Sequence, residues 1–137
     1  MGQKALSGNL NITKMTEIEK FNKFFTKLGE LCFQIHMAER PIRPIDFTSE
    51  KNQVINHDYF IEVKQRYPNV IRGFNMTMGR SQFEGVEFYL MNDGKVSVEY
   101  INSDMRLLKT NTYESVSKVQ EDLPAYIHFL TRRWNPI

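Results

Sequence analysis

The sequence predicts an α+β domain: an antiparallel β-meander of three or more strands with helices packed on one face, in the order α-α-β-β-β-α. Three observations predict it. Near both ends of the chain, apolar residues recur at three- and four-residue steps, the period of an amphipathic helix. Between them, three consecutive segments alternate apolar and polar residues, as strands with one buried face do. Two of those segments are joined by Asn92-Asp93-Gly94, a turn sequence. A chain of 137 residues suits one core, and 41% hydrophobic with 25% charged residues argues against a disordered chain.

Residues 1–14 mix Gly, Ser, Asn and Lys without periodicity and read as a flexible tail, leaving 15–137 as the single domain. From Thr16 the pattern turns helical. Phe21, Phe24, Phe25, Leu28, Leu31, Cys32 and Ile35 make one stripe, Thr16 can cap it, and Glu17 and Glu19 suit the positive end of the helix dipole. The prolines of residues 39–48 make that stretch an extended connection. Asn56 to Tyr67 then predicts a shorter helix, with Phe60, Val63 and Tyr67 on one face and Pro68 as its stop; Val54 and Ile55 suit a strand as well. The sheet follows: Phe74, Met76 and Met78, then Val86, Phe88 and Leu90, then Val96, Val98 and Tyr100. The last segment, Tyr113 to Trp134, carries Val116, Val119, Leu123, Ile127, Leu130 and Trp134 in one stripe. Asn111 and Glu114 have capping-box spacing there, and Pro124 should kink or split the helix.

The hairpin register follows from its turn. Asn92 and Asp93 form a type I turn and Gly94 takes the left-handed conformation, giving a three-residue loop with a glycine bulge. Met91 then faces Lys95, Leu90 faces Val96, Phe88 faces Val98 and Val86 faces Tyr100, so one face is uniformly apolar. A one-residue slip would set Phe88 beside Glu99, so burial enforces the first register. On the other face Tyr89 lies across from Ser97 and Glu87 directly across from Glu99. With the helices assigned to the apolar face, this second face is expected to be open, polar and acidic. Two like charges opposed on a solvated sheet cost roughly 0.2–1 kcal/mol.

Charge and cysteine usage set further bounds. Eighteen basic and sixteen acidic residues give a net charge of +2, which argues against direct nucleic-acid binding. One cysteine, Cys32, suits a reducing compartment. The N-terminus lacks the apolar run of a signal peptide, and no run is long enough to span a bilayer. Leu6 stands where a myristoylation motif after Gly2 wants Ser or Thr. Asn11-Ile12-Thr13 and Asn75-Met76-Thr77 read as chance sequons. The expectation is a cytoplasmic protein with no membrane association.

Glu87 and Glu99 are the most specific lead. Two carboxylates held together can raise one pKa for acid–base work, bind a basic partner surface, or simply be solvated beside a lysine. Cys32 and His36 sit one helical turn apart, but no second ligand pair completes a zinc pattern. His57 falls at a helix start and His128 on the exposed side of the last helix, neither in a nucleophile–base set. Gly73, Gly79 and Gly85 are spread through strands and turns and make no phosphate loop. Arg72, Arg80, Arg132 and Arg133 could meet phosphate or acidic groups, or serve surface solubility. Pro41-Ile42-Arg43-Pro44 matches a minimal PxxP pattern that a rigid connector explains equally well. No cofactor or metal site is expected.

Two functional classes stay open. One is a non-catalytic protein-binding domain using an acidic face. The other is a small-ligand-binding or enzymatic domain with a pocket between sheet and helices, which an apolar cavity with converging polar groups would favour. Two helical segments, then VEFYLMNDGKVSVEYINSD as a hairpin, then a closing helix, resemble the small bacterial immunity proteins that neutralise secreted toxins. The resemblance covers the order of elements over residues 16–134. It implies a cytoplasmic antitoxin without a cofactor whose partner is a toxin domain. Where such a toxin is a nuclease with a basic active site, an acidic patch would complement it. Glu84, Glu87, Tyr89, Glu99 and Asp104 are the expected partner-binding residues.

Overall fold

In the computed structural model, residues 16–31, 44–77, 85–101 and 107–131 are described. The first helix, α1, spans residues 16–31, and Phe21, Phe24, Phe25 and Leu28 of its stripe are buried. A short strand β1 (Ile45–Asp46) precedes two helices, α2 (Glu50–Ile55) and α3 (His57–Arg66). Strands β2 (Val70–Thr77), β3 (Gly85–Met91), β4 (Val96–Ile101) and β5 (Leu107–Tyr113) follow, then α4 (Val116–Glu121) and α5 (Leu123–Thr131). The five strands lie in sequence order and every neighbouring pair is antiparallel, so the sheet is a meander.

The hairpin has the expected register: Val86 faces Tyr100, Glu87 faces Glu99, Phe88 faces Val98, Tyr89 faces Ser97 and Leu90 faces Val96. Its loop closes as the turn chemistry requires. The Gly94 N–H donates to the Met91 carbonyl at 3.0 Å, and the Met91 N–H donates to the Lys95 carbonyl at 2.8 Å. Gly94 sits at φ +91°, where a Cβ is strained, while the Asp93 carboxylate accepts the Lys95 N–H at 3.0 Å. Gly94→Ala is therefore expected to cost about 1 kcal/mol, visible as a lower denaturation midpoint with unchanged m-value; an unchanged midpoint would contradict the left-handed turn.

One face of the sheet carries the larger core. Phe74 of β2 and Phe88 of β3 stack at 4.7 Å, and Phe24 of α1 and Tyr126 of α5 meet Phe88 edge-on, both at 5.2 Å. Such pairs add about 0.5–1.5 kcal/mol each beyond burial. Val116 and Val119 of α4 close the same side. The opposite face is also covered, which corrects the expected one-sided packing. Phe60 and Val63 of α3, with Phe47 after β1, pack on Val70 and Tyr89 in a second core. The reason is that this face is not polar throughout: Tyr89 and Val70 give α3 an apolar floor for its own stripe.

Three local expectations also change. A further strand, β5, which was not expected, forms from Leu107 to Tyr113 and takes the first residue of the predicted closing helix; LLKTNTY does not alternate, and pairing with β4 makes it a strand. The helix that follows is capped by Ser115, whose hydroxyl accepts the Lys118 N–H at 3.3 Å, in place of Asn111. It is indeed divided, into α4 and α5, just before Pro124. Third, Val54 and Ile55 belong to α2, a helix with no buried residue and hence no apolar stripe to reveal it, capped by Ser49. The expectations for residues 1–14, Cys32, His36, Pro41 to Arg43, Met78, Gly79, Arg80, Glu84, Asp104, Arg132, Arg133 and Trp134 lie outside the described residues.

Candidate functional site

The pair Glu87–Glu99 meets across β3 and β4 as the register requires, but beneath α3. Glu99 is only 3% exposed. A buried carboxylate needs a counter-charge and hydrogen bonds. Arg66, at the end of α3, supplies both through a fork: Nε donates to Glu99 Oε2 at 3.3 Å and Nη2 to Oε1 at 3.2 Å. The hydroxyl of Tyr67, the residue after α3, donates to Oε2 at 2.5 Å. Arg66 also pairs with Glu62 one helical turn back, at 3.1 Å.

Glu87 is held separately. The Tyr89 hydroxyl donates to it, and the Tyr59 hydroxyl lies 3.3 Å from that of Tyr89. Since the Tyr89 proton is used on Glu87, Tyr59 donates to Tyr89. Burial pushes the Tyr59 phenol up to about 12, and burial likewise raises Tyr67 and Tyr89. All three phenols therefore stay protonated as donors. Burial also pushes the Glu87 carboxyl above its ordinary value, against the pull of the Tyr89 bond, and the Glu99 charge opposite adds to the rise.

A raised folded-state pKa has a definite sign in stability. The folded chain holds the Glu87 proton where the unfolded chain has released it. That contribution is complete below the unfolded value near 4.5 and is lost as pH rises through the folded value. Glu87→Gln keeps an acceptor for Tyr89 and removes the titration. It is expected to flatten the fall in melting temperature above pH 4.5 and to raise the melting temperature at neutral pH. Parallel pH profiles for the two proteins would rule this out.

The position of Tyr89 depends on Gly73. The two residues face each other across β2 and β3, and a Cβ on Gly73 would lie 2.8 Å from both Phe47 Cε2 and Tyr89 Cδ1. Glycine thus lets the tyrosine ring lie over the β2 backbone, under Phe47.

These facts reassign the expected partner-binding residues. Tyr89 is fully buried and Glu99 nearly so, and Glu87 is partly covered, so the expected open acidic face is closed under α3. Glu84 and Asp104 lie outside the described residues. Arg66, Tyr59 and Tyr67 complete the cluster; of these the sequence named only Tyr67, and that as part of the helix stripe, not of a site. Their available signal was position: all three lie in or beside the helix carrying the Phe60–Val63 stripe. Arg72, one of the arginines that could meet phosphate or acidic groups, pairs with the acidic Asp46 at 2.7 Å. His57 begins α3 and His128 is exposed on α5, both as expected. Among the described residues, no three His, Cys, Asp or Glu side chains are placed to share a metal. Also among them, no helix is long and apolar enough to cross a membrane.

A separate cavity of about 340 Å³ opens between β4, β5 and α5, lined by Tyr100, Leu108, Lys109, Ala125, His128 and Phe129. Comparison with known proteins finds no matching family model, no matching curated protein and no matching solved structure.

Proposed function

We propose that this chain is a non-catalytic protein-binding domain of the bacterial immunity type, which binds and blocks a toxin domain in the cytoplasm. The observation that supports this most is the internal closure of the titratable cluster. Glu99 is tied to Arg66 and Tyr67, and Glu87 to Tyr89 and Tyr59, so the strongest polar groups serve the fold. The accessible surface instead offers large apolar side chains, Leu107 and Leu108 on β5 and Val54, Ile55 and Ile61 on α2 and α3. Single exposed apolar residues are ordinary on a surface, but neighbouring ones such as Leu107 and Leu108 suit contact with a protein partner. The burial of Glu99 and Tyr89 removes the acidic sheet face as the docking surface.

The test is co-purification of the tagged chain with the product of a neighbouring gene, read together with protection of cells expressing that product. A stable complex without protection, or neither, would reject the immunity reading. The cavity beside α5 favours a second reading, a small-ligand binder. A thermal-shift screen addresses it, since a ligand bound to the native state raises the melting temperature.

A further inference from the structure

We propose that the outer edge of β5 and the cavity beside it form a strand-addition site for an extended segment of a partner protein, carrying an apolar side chain next to a carboxylate. The inference rests on the protein-binding reading above and names the surface and the chemistry it selects.

The first ground is the edge itself. β5 is the last strand of the sheet and pairs on one side with β4. Its main-chain groups on the other side face no described strand. Edge strands are ordinarily protected by proline, by shortness, by bulges or by several charges. β5 runs for seven residues, has no proline and carries a single charge, Lys109; its one bulge falls near its start, at Leu108, and leaves Lys109 to Tyr113 in regular register. Leu107 and Leu108 are 54% and 51% exposed. The register of β5 shifts where Tyr100 and Ile101 pair with Lys109 and Leu107, which leaves Leu108 as the extra residue, and Leu108 lines the cavity.

The second ground is the cavity. Tyr100, Leu108, Ala125 and Phe129 make apolar walls, with Tyr100 and Phe129 edge to face at 4.9 Å. Its two basic side chains are Lys109 and His128, and no acidic residue lines it. Among the described residues Lys109 has no carboxylate partner; its ammonium rests 4.7 Å from the centre of the Tyr100 ring. The lining therefore complements a negatively charged group attached to an apolar body.

Together these are the parts that strand addition uses. Main-chain hydrogen bonds along an edge supply affinity, and a pocket for one side chain supplies specificity. A strand laid outside β5 would pass the mouth between β5 and α5. The exposed Val54, Ile55 and Ile61 do not line this cavity, so its charge does not select an occupant there.

The probe is a displayed library of short random peptides selected on the full chain, followed by synthesis of the enriched sequence. The expected result is a shared aliphatic or aromatic residue beside Asp, Glu or a C-terminal carboxylate. Its amide shift changes should map to Leu107–Tyr113 and α5. Leu108→Lys should weaken binding about tenfold or more, and Lys109→Glu should turn the selection against acidic residues. Both positions are exposed, so an unchanged melting temperature checks the fold. Methylating alternate peptide nitrogens should abolish binding. Retained binding after methylation, or equal binding of benzoate alone, would show a small-anion site and overturn strand addition. Shifts confined to Val54, Ile55 and Ile61, or no shared sequence, would overturn it as well. If the neighbouring-gene product binds wild type and Leu108→Lys equally, this surface is wrong and the protein-binding reading stands. If that product never binds while peptides do, the immunity reading fails and the edge site stands.

Discussion

Arg66→Ala is expected to destabilise the fold by about 3 kcal/mol, the low end of what breaking a buried ion pair costs, because one partner keeps solvent contact. The Arg66 side chain is 35% exposed and the Glu99 side chain 4%. The asymmetry decides the outcome. Without Arg66, Glu99 is left buried beside Glu87 with Tyr67 as its remaining donor. Without Glu99, Arg66 can still reach water and Glu62. Glu99→Gln alone should therefore cost less, since it keeps an acceptor for Tyr67 and removes the repulsion across the strands. The double variant should be more stable than Arg66→Ala. Denaturant unfolding of the four proteins gives the coupling, expected to exceed about 1 kcal/mol for groups in direct contact. Strict additivity would show that the fork contributes nothing.

The second large effect is at Gly73. In an open strand, alanine would be favoured over glycine by roughly 0.5–1 kcal/mol. Here the expected sign is reversed. A Cβ at 2.8 Å from two buried aromatic rings cannot be accommodated without moving Phe47 and Tyr89. Gly73→Ala should cost about 1–3 kcal/mol, and Gly73→Val more. Displacing Tyr89 also separates its hydroxyl from Glu87 and Tyr59, so packing strain and a lost buried hydrogen bond act together. Phe47→Leu should restore part of the loss in the Gly73→Ala background. A Gly73→Ala protein as stable as wild type would show that the ring does not need the glycine.

Much of the site's arrangement along the strands was legible in the chain. Gly94 set the loop, the loop set the register, and the register set Glu87 against Glu99. What lay over that pair was not legible. Arg66 and Tyr67 reach Glu99 from more than thirty residues away, through a helix whose stripe could have packed on either face. The sequence showed that Phe60 and Val63 needed burial, but not where. β5 was hidden for a related reason: Leu107–Tyr113 lacks apolar–polar alternation, and its state comes from β4 beside it.

By itself the sequence determined the α+β class, the meander, the hairpin and the opposition of two carboxylates, because each follows from local turn chemistry and period-two alternation. Only the tertiary structure decided that Glu99 is buried and paired with Arg66 and that Glu87 is held by Tyr89 beneath α3. The physical reason is that burial depends on which element covers a face, and that is settled by competition among all the apolar stripes at once. Face occupancy turned the acidic pair from an expected docking surface into an internal tie.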